Sequence, residues 1–139
     1  MSRVSNAPFG IRNIARLPSN SAGLSASLIT PTNEDSPRRL YFVLGQVNSV
    51  YTVYLKLYDL ARAPVVGTDA PLMTLPLSSN IYWNGSSGIA APDPFEFSFD
   101  GVGVTFLHGI AYALTKNPAD NDTAALAAGD VTGLNLAWA

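Results

Sequence analysis

Residues 95–100 read FEFSFD: phenylalanine at 95, 97 and 99 alternates with Glu96, Ser98 and Asp100. Successive side chains of an extended strand point to opposite faces, so this period of two puts three rings on one side and three polar groups on the other. A helix would scatter the rings around its axis. Each ring buried in a core is worth about 1.5–3 kcal/mol of transfer free energy. The stretch is therefore a half-buried strand, and the rest of the chain can be read outward from it.

The same period recurs on both sides. Residues 40–47 (LYFVLGQV) are apolar on both faces, which suits a central strand. In residues 51–60 (YTVYLKLYDL) the set Tyr51, Val53, Leu55 and Leu57 is expected inward, with Thr52, Tyr54, Lys56 and Tyr58 outward. Gln46 to Ser49 supplies the turn between these two strands, and residues 62–71 (RAPVVGTDAP) form a loop. Residues 72–77 (LMTLPL) are a short strand, and Pro76 places it at an edge. Ile81 to Trp83 is a brief apolar piece before the tight-turn pair Asn84-Gly85.

Beyond residue 100, Gly101 and Gly103 bracket a tight link into Val104-Thr105-Phe106. In residues 110–115 (IAYALT) Ile110, Tyr112 and Leu114 share one face, and Ala111 and Ala113 the other. A face of small side chains lets another layer approach closely. Residues 131–139 (VTGLNLAWA) close the chain with Leu134, Leu136 and Trp138 inward. Between these strands Asp122 is placed to cap a short helical turn over residues 124–128, ended by Gly129. The fold class expected is all-β: a single antiparallel β-sandwich, jelly-roll-like, of about eight strands. It comprises residues 38–139. Residues 1–37, rich in Ser, Asn, Ala and Pro, read as an extended N-terminal arm, with a first strand possible within residues 23–30.

Composition limits what such a chain does. Its 139 residues suit one domain, and the 13% charged residues fall far below the ~25% usual for globular proteins. So little charge leaves neutral or apolar surface exposed, which favours an oligomer or an assembly partner. The net charge of −2 speaks against a nucleic-acid binder. Residues 1–62 carry seven basic and three acidic side chains, whereas residues 63–139 carry one basic and seven acidic, an asymmetry suited to head-to-tail attraction between copies. Without cysteine there are no disulfides or thiolate metal sites. No signal peptide or apolar run long enough to span a bilayer is visible, so synthesis in a cytosol is expected.

Chemistry is sparse. Asp120-Asn121-Asp122 offers hard oxygen ligands to calcium, but the further acids of an EF-hand loop are missing and Asx turns account for the same residues. Glu96 and Asp100, four residues apart on one strand face, stand about 13 Å apart, too far for a glycosidase pair. Asp93 adds nothing to them. His108 is the single histidine, and no nucleophile motif accompanies it. Gly101-Val102-Gly103 lacks the third glycine of a dinucleotide loop. Asn84-Gly85-Ser86 and Asn121-Asp122-Thr123 fit a glycosylation pattern that needs a secretory route. Tyr51, Tyr54, Tyr58, Tyr82, Trp83 and Trp138 invite a sugar-stacking platform, but their alternation with core residues favours packing. Arg3, Arg12, Arg16, Arg38 and Arg39 are the candidate contact residues, able to grip an acidic protein surface by bidentate pairing. No catalytic, cofactor or metal residue is expected.

Two blocks carry a family resemblance. Tyr54-Leu55-Lys56-Leu57-Tyr58 followed by residues 63–71 (APVVGTDAP) is similar to a "YLKLY…P-x-VGTD-x-P" signature of small virion proteins of tailed bacteriophages. Residues 103–106 (GVTF), 109–115 (GIAYALT), 119–123 (ADNDT) and 129–136 (GDVTGLNL) resemble that family's C-terminal half. The resemblance spans roughly residues 39–139 and implies a β-sandwich that decorates or cements the capsid exterior. Its partner would be the major capsid protein, with a homo-oligomer, a trimer by analogy with shell symmetry, and neither nucleic acid nor membrane. The implied location is the virion surface after synthesis in the host bacterial cytoplasm. The family offers no catalytic residues, and residues 1–38 match no pattern of it. A second possibility is a receptor- or carbohydrate-binding module of a head or tail fibre, using Tyr82, Trp83 and residues 85–91 taken as a loop.

Overall fold

A computed structural model describes residues 13–16, 25–32, 34–84 and 87–139, with only the backbone of 80–91. Among these residues eleven strands follow one another: β1 (Asn13–Arg16), β2 (Ser27–Leu28), β3 (Arg38–Val47), β4 (Val53–Asp59), β5 (Met73–Leu77), β6 (Asn80–Asn84), β7 (Ser87–Ala91), β8 (Asp93–Ser98), β9 (Val104–Phe106), β10 (Ile110–Thr115) and β11 (Val131–Trp138). Every pairing is antiparallel. One sheet runs β1-β11-β3-β8, with β9 also on β3; the other runs β2-β10-β4-β5; β6 and β7 form a separate hairpin.

The sheet order is that of a jelly roll. β8 pairs with residues 42–47 of β3 and β9 with residues 38–40, so together they occupy one lane. Nine strands thus fill eight lanes, which pair first with last, second with seventh, third with sixth and fourth with fifth. That is one long antiparallel ribbon. Rolling it up adds the β11–β3 and β10–β4 pairs and produces two four-lane layers. The β6–β7 hairpin is an excursion inserted between the fifth and sixth lanes.

The core lies between the layers. Leu40, Val43, Val47, Leu134, Leu136 and Trp138 from one sheet meet Val53, Leu55, Leu57, Leu77, Ile110, Tyr112 and Leu114 from the other. Phe95, Phe97 and Phe99 pack against this cluster, half-buried as their edge lane requires. The strand apolar on both faces, β3, is central, and the strand containing Pro76, β5, is an edge.

Several expectations change. Residues 48–52 do not make a hairpin but carry the chain from one sheet to the other. Strand β4 begins only at Val53, which leaves Tyr51 77% exposed instead of inward. No helix occurs among the described residues, and Leu126 in the expected helical turn is a buried bridge residue. Asp122 accepts hydrogen bonds from the backbone and side-chain amides of Asn117, each at 3.0 Å, as well as the Ala124 N–H, without a helix following. Residues 87–91, expected within a loop, are strand β7; the turn residues 85 and 86 lie outside the described residues. Within residues 1–37 the described parts include two short edge strands, β1 on β11 and β2 on β10. The remainder of the proposed arm, with Arg3 and Arg12, lies outside the described residues.

Candidate functional site

The two sheets treat their outer faces differently. On the four-stranded sheet the outward set from β4 and β10 is Tyr54, Lys56, Tyr58, Ala111, Ala113 and Thr115; Tyr54 is half-buried and the other five are buried. Two connections lie across them. Residues 60–72 bring Leu60 and Val66 onto Tyr58, Ala111 and Ala113, joined by Ala26 and Leu28 from the β2 segment. Residues 116–124 bring the Ala119 carbonyl, which accepts a hydrogen bond from Lys56 Nζ. The small Ala111 and Ala113 are what allow this close approach.

Each connection carries its own fastener. Arg62 forks onto both oxygens of Asp69 at 2.7 and 2.9 Å, and Asp69 also accepts the Val65 N–H at 2.7 Å. The Arg62 hydrogen bond and then the Val65 N–H lower the Asp69 carboxyl to a pKa of about 2. Asn117 and Asp122 fasten the second connection. Burial pushes the Asp122 carboxyl up, but the Asn117 hydrogen bonds and the Lys56 charge outweigh it and hold it below its ordinary value. The two connections touch: a Cβ on Gly67, whose φ is +90°, would stand 2.7 Å from Thr123 Cγ2. Beneath them, burial lowers the Lys56 pKa against the opposing pull of Asp122 and Asp120. Burial, then Asp69 and Asp120, raises that of Tyr58, whose hydroxyl has no hydrogen-bond partner among the described residues.

The five-stranded sheet has no such cover among the described residues. Register places its outward side chains in rows. Ile14 stands level with Ala137, Phe42 and Ser98; Arg16 stands level with Asn135, Leu44 and Glu96; Thr132 stands level with Gln46 and Pro94. Ile14 is 66% exposed, Phe42 and Leu44 are half-buried and outside the core cluster, and Arg16, Gln46, Pro94, Glu96 and Ser98 are exposed. The result is an apolar stripe edged by one positive and one negative group about 14 Å apart, three strand spacings across the sheet.

The arginines are not gathered together. Arg39 lies five residues along β3 from the level of Arg16, about 16 Å, and its guanidinium donates to the Val102 carbonyl at 3.0 Å. Arg38 points the other way: it pairs with Glu34 at 2.6 Å and lies 5.4 Å over the Trp138 ring. Arg16 makes no ion pair among the described residues. His108 is exposed at the β9–β10 turn and bonds Asp35 at 2.8 Å, and that hydrogen bond raises its pKa. Asp59 accepts the His108 backbone N–H. The arrangement ties the chain before β3 to the turn and brings no nucleophile to the ring. No group of three or more metal-ligating side chains occurs among the described residues, Asp120 and Asp122 included. No helix among them is long and apolar enough to cross a membrane.

Sequence reasoning missed the contrast between the faces. The polar alternation of Tyr54, Lys56 and Tyr58 resembles a solvated face, and the cover arrives from loops distant in sequence. The signal available was the Ala111–Ala113 pair. Compared with known protein families, curated proteins and solved structures, the chain matches none.

Proposed function

We propose that this protein is a phage virion structural protein that decorates the capsid exterior, bridging neighbouring capsid subunits through the uncovered face of its five-stranded sheet. The observation that carries the reading is the contrast between faces: two fastened connections cover one sheet, while Ile14, Phe42 and Leu44 remain open to a partner on the other. Exposed apolar side chains gathered on one face of a charge-poor protein suit an interface. The resemblance to small virion proteins and the jelly-roll strand order agree with it. Fold alone decides no function.

The partner is the major capsid protein, together with other copies of the chain. Each contact is weak, because Phe42 and Leu44 are already half-buried before docking, and repetition over a shell supplies the avidity. Arg16 sits on the contact face. Arg39 is outward on the same sheet, and Arg38 serves the fold through Glu34 and Trp138. The protein is made in the host cytoplasm and resides on the virion. Capsids mixed with purified Leu44→Arg protein should show at least about tenfold weaker occupancy than with wild type, measured by co-sedimentation. Equal occupancy, or wild-type protein that never sediments with capsids, overturns the reading. The stacking surface of Tyr82 and Trp83 falls on side chains outside those described, and nothing observed favours it.

A further inference from the structure

At the end of the sandwich where residues 48–52 cross between sheets lies an open-sided cleft of about 720 Å³. It is within the ~300–1,000 Å³ typical of small-ligand sites. Asn48, Tyr51, Tyr54, Lys116, Asn117 and Asp130 line it. It lies at the far end of the ten-residue strand β3 from Arg38 and Arg39, roughly 30 Å away.

Its lining is held in place. Asn48 Nδ2 donates to the Gly129 carbonyl at 2.9 Å and to Thr132 Oγ1 at 3.2 Å, and the Asn48 N–H donates to the Asp130 carbonyl at 2.8 Å. Asn117 Nδ2 is bonded to Asp122, and the Asp130 carboxylate accepts the Ala127 N–H at 3.0 Å. The Tyr51 N–H donates to Ser49 Oγ at 3.1 Å, which steadies the turn that presents its ring. Thr52 bonds Ser78 at 2.8 Å, and Ser79 donates to the Ser49 carbonyl, so the crossover is braced from the β5–β6 link as well. A large flat ring stands 77% exposed on a braced turn instead of packing.

The lining also selects a ligand class. An anion would meet Asp130, and a cation would meet Lys116. A purely apolar molecule would strip water from two amides and a carboxylate without replacing their hydrogen bonds, which is costly. A neutral polyhydroxylated ring suits all of these groups: its C–H face lies on the Tyr51 ring, and its hydroxyls donate to the carboxylate and amide oxygens and accept from Lys116. The geometry points to a binding site for a neutral oligosaccharide centred on Tyr51. This site is a second function, separate from the sheet face assigned to the capsid.

The test uses the full chain with methyl α-D-glucoside, methyl β-D-galactoside, methyl α-D-mannoside, N-acetylglucosamine, maltotriose and chitotriose, with glucuronate and glucosamine as charged comparisons. Binding is read by saturation-transfer NMR and titration up to about 10 mM. At least one neutral saccharide should bind and receive saturation from the Tyr51 ring. Tyr51→Ala should weaken that binding at least about tenfold, and Tyr51→Phe, which keeps the flat face, less than about threefold. Circular dichroism checks that both variants fold, as an exposed side chain predicts. No binding by any neutral saccharide, tighter binding of the charged sugars, or an unchanged affinity in Tyr51→Ala overturns the inference. Because the measurement needs no capsid, its outcome is separate from that of the decoration reading.

Discussion

The outer face of the four-stranded sheet is largely polar in sequence yet buried along β10 and at Lys56 and Tyr58 of β4, whereas that of the five-stranded sheet contains Phe42, Leu44 and Ile14 and is open among the described residues. Burial here follows from what crosses a face more than from what the face is made of. Ala111 and Ala113 leave room for a third layer, and the connections that fill it bring their own hydrogen bonds, so no long apolar stretch is needed. Among the described residues, the sheet that no connection crosses is the one that keeps its outer apolar side chains uncovered.

Matched substitutions give the largest test of this contrast. Ala113→Leu adds volume beneath the fastened connections and should cost about 1–3 kcal/mol in urea unfolding. Ser98→Leu makes a comparable addition on the open face and should stay within about 0.5 kcal/mol. Similar costs at the two positions would mean that the faces are equally packed.

Lys56→Met gives a smaller effect of opposite sign. A buried ammonium with one carbonyl partner costs stability, so at pH 7 the variant should be more stable than wild type by about 1 kcal/mol. The folded-state pKa of Lys56 lies below 10.5. As the pH climbs through that folded value towards 10.5, the folded protein releases a proton that the unfolded chain keeps, so wild type gains stability and the gap to the variant narrows. Tyr58, raised above 10.0, works the other way at higher pH, but it is common to both proteins and cancels in the difference. A gap that stays constant from pH 8 to 10.5 would count against a buried charge.

Asp69→Asn loosens one fastener and should cost about 0.5–1.5 kcal/mol at pH 7, allowing for the exposed Arg62 partner. The Asp69 carboxyl is depressed to about 2 from 3.8. Its stabilisation is therefore present above 3.8 and lost as the pH falls towards 2, and the variant should lack that part of the acid-side decline. Identical acid unfolding curves would remove Asp69 from the account.

Much of this architecture is legible in the chain. The rings at 95, 97 and 99 alternate as a half-buried edge should, residues 40–47 are apolar on both sides as a central strand requires, and Pro76 marks an edge. The failures are local and physical. Tyr51 continues the alternation of Val53, Leu55 and Leu57, but the strand starts two residues later because the chain is still crossing between layers, so the ring turns outward. Asp122 looks like a helix cap because residues 124–128 are rich in alanine; its carboxylate does accept the Ala124 N–H, but it also holds both Asn117 amides, and no helix follows. Neither the open sheet face nor the Tyr51 cleft could be read from the sequence, since both depend on which loops cover which layer.

One lane has a wider consequence. The sixth lane is split between β8 and β9 by the turn at 99–103, where Asp100, Gly101 and Gly103 all have positive φ and a Cβ on Gly103 would press within 3.0 Å of the Leu40 carbonyl. The opposite margins are the four-residue β1 and the two-residue β2, and Pro76 and Pro94 each remove an amide donor from the remaining two. Among the described residues, no border of the two main sheets thus offers an unbroken row of backbone donors and acceptors on which a foreign strand could grow. Edge-to-edge growth of the two main sheets is thereby disfavoured, which leaves their faces as the routes for association.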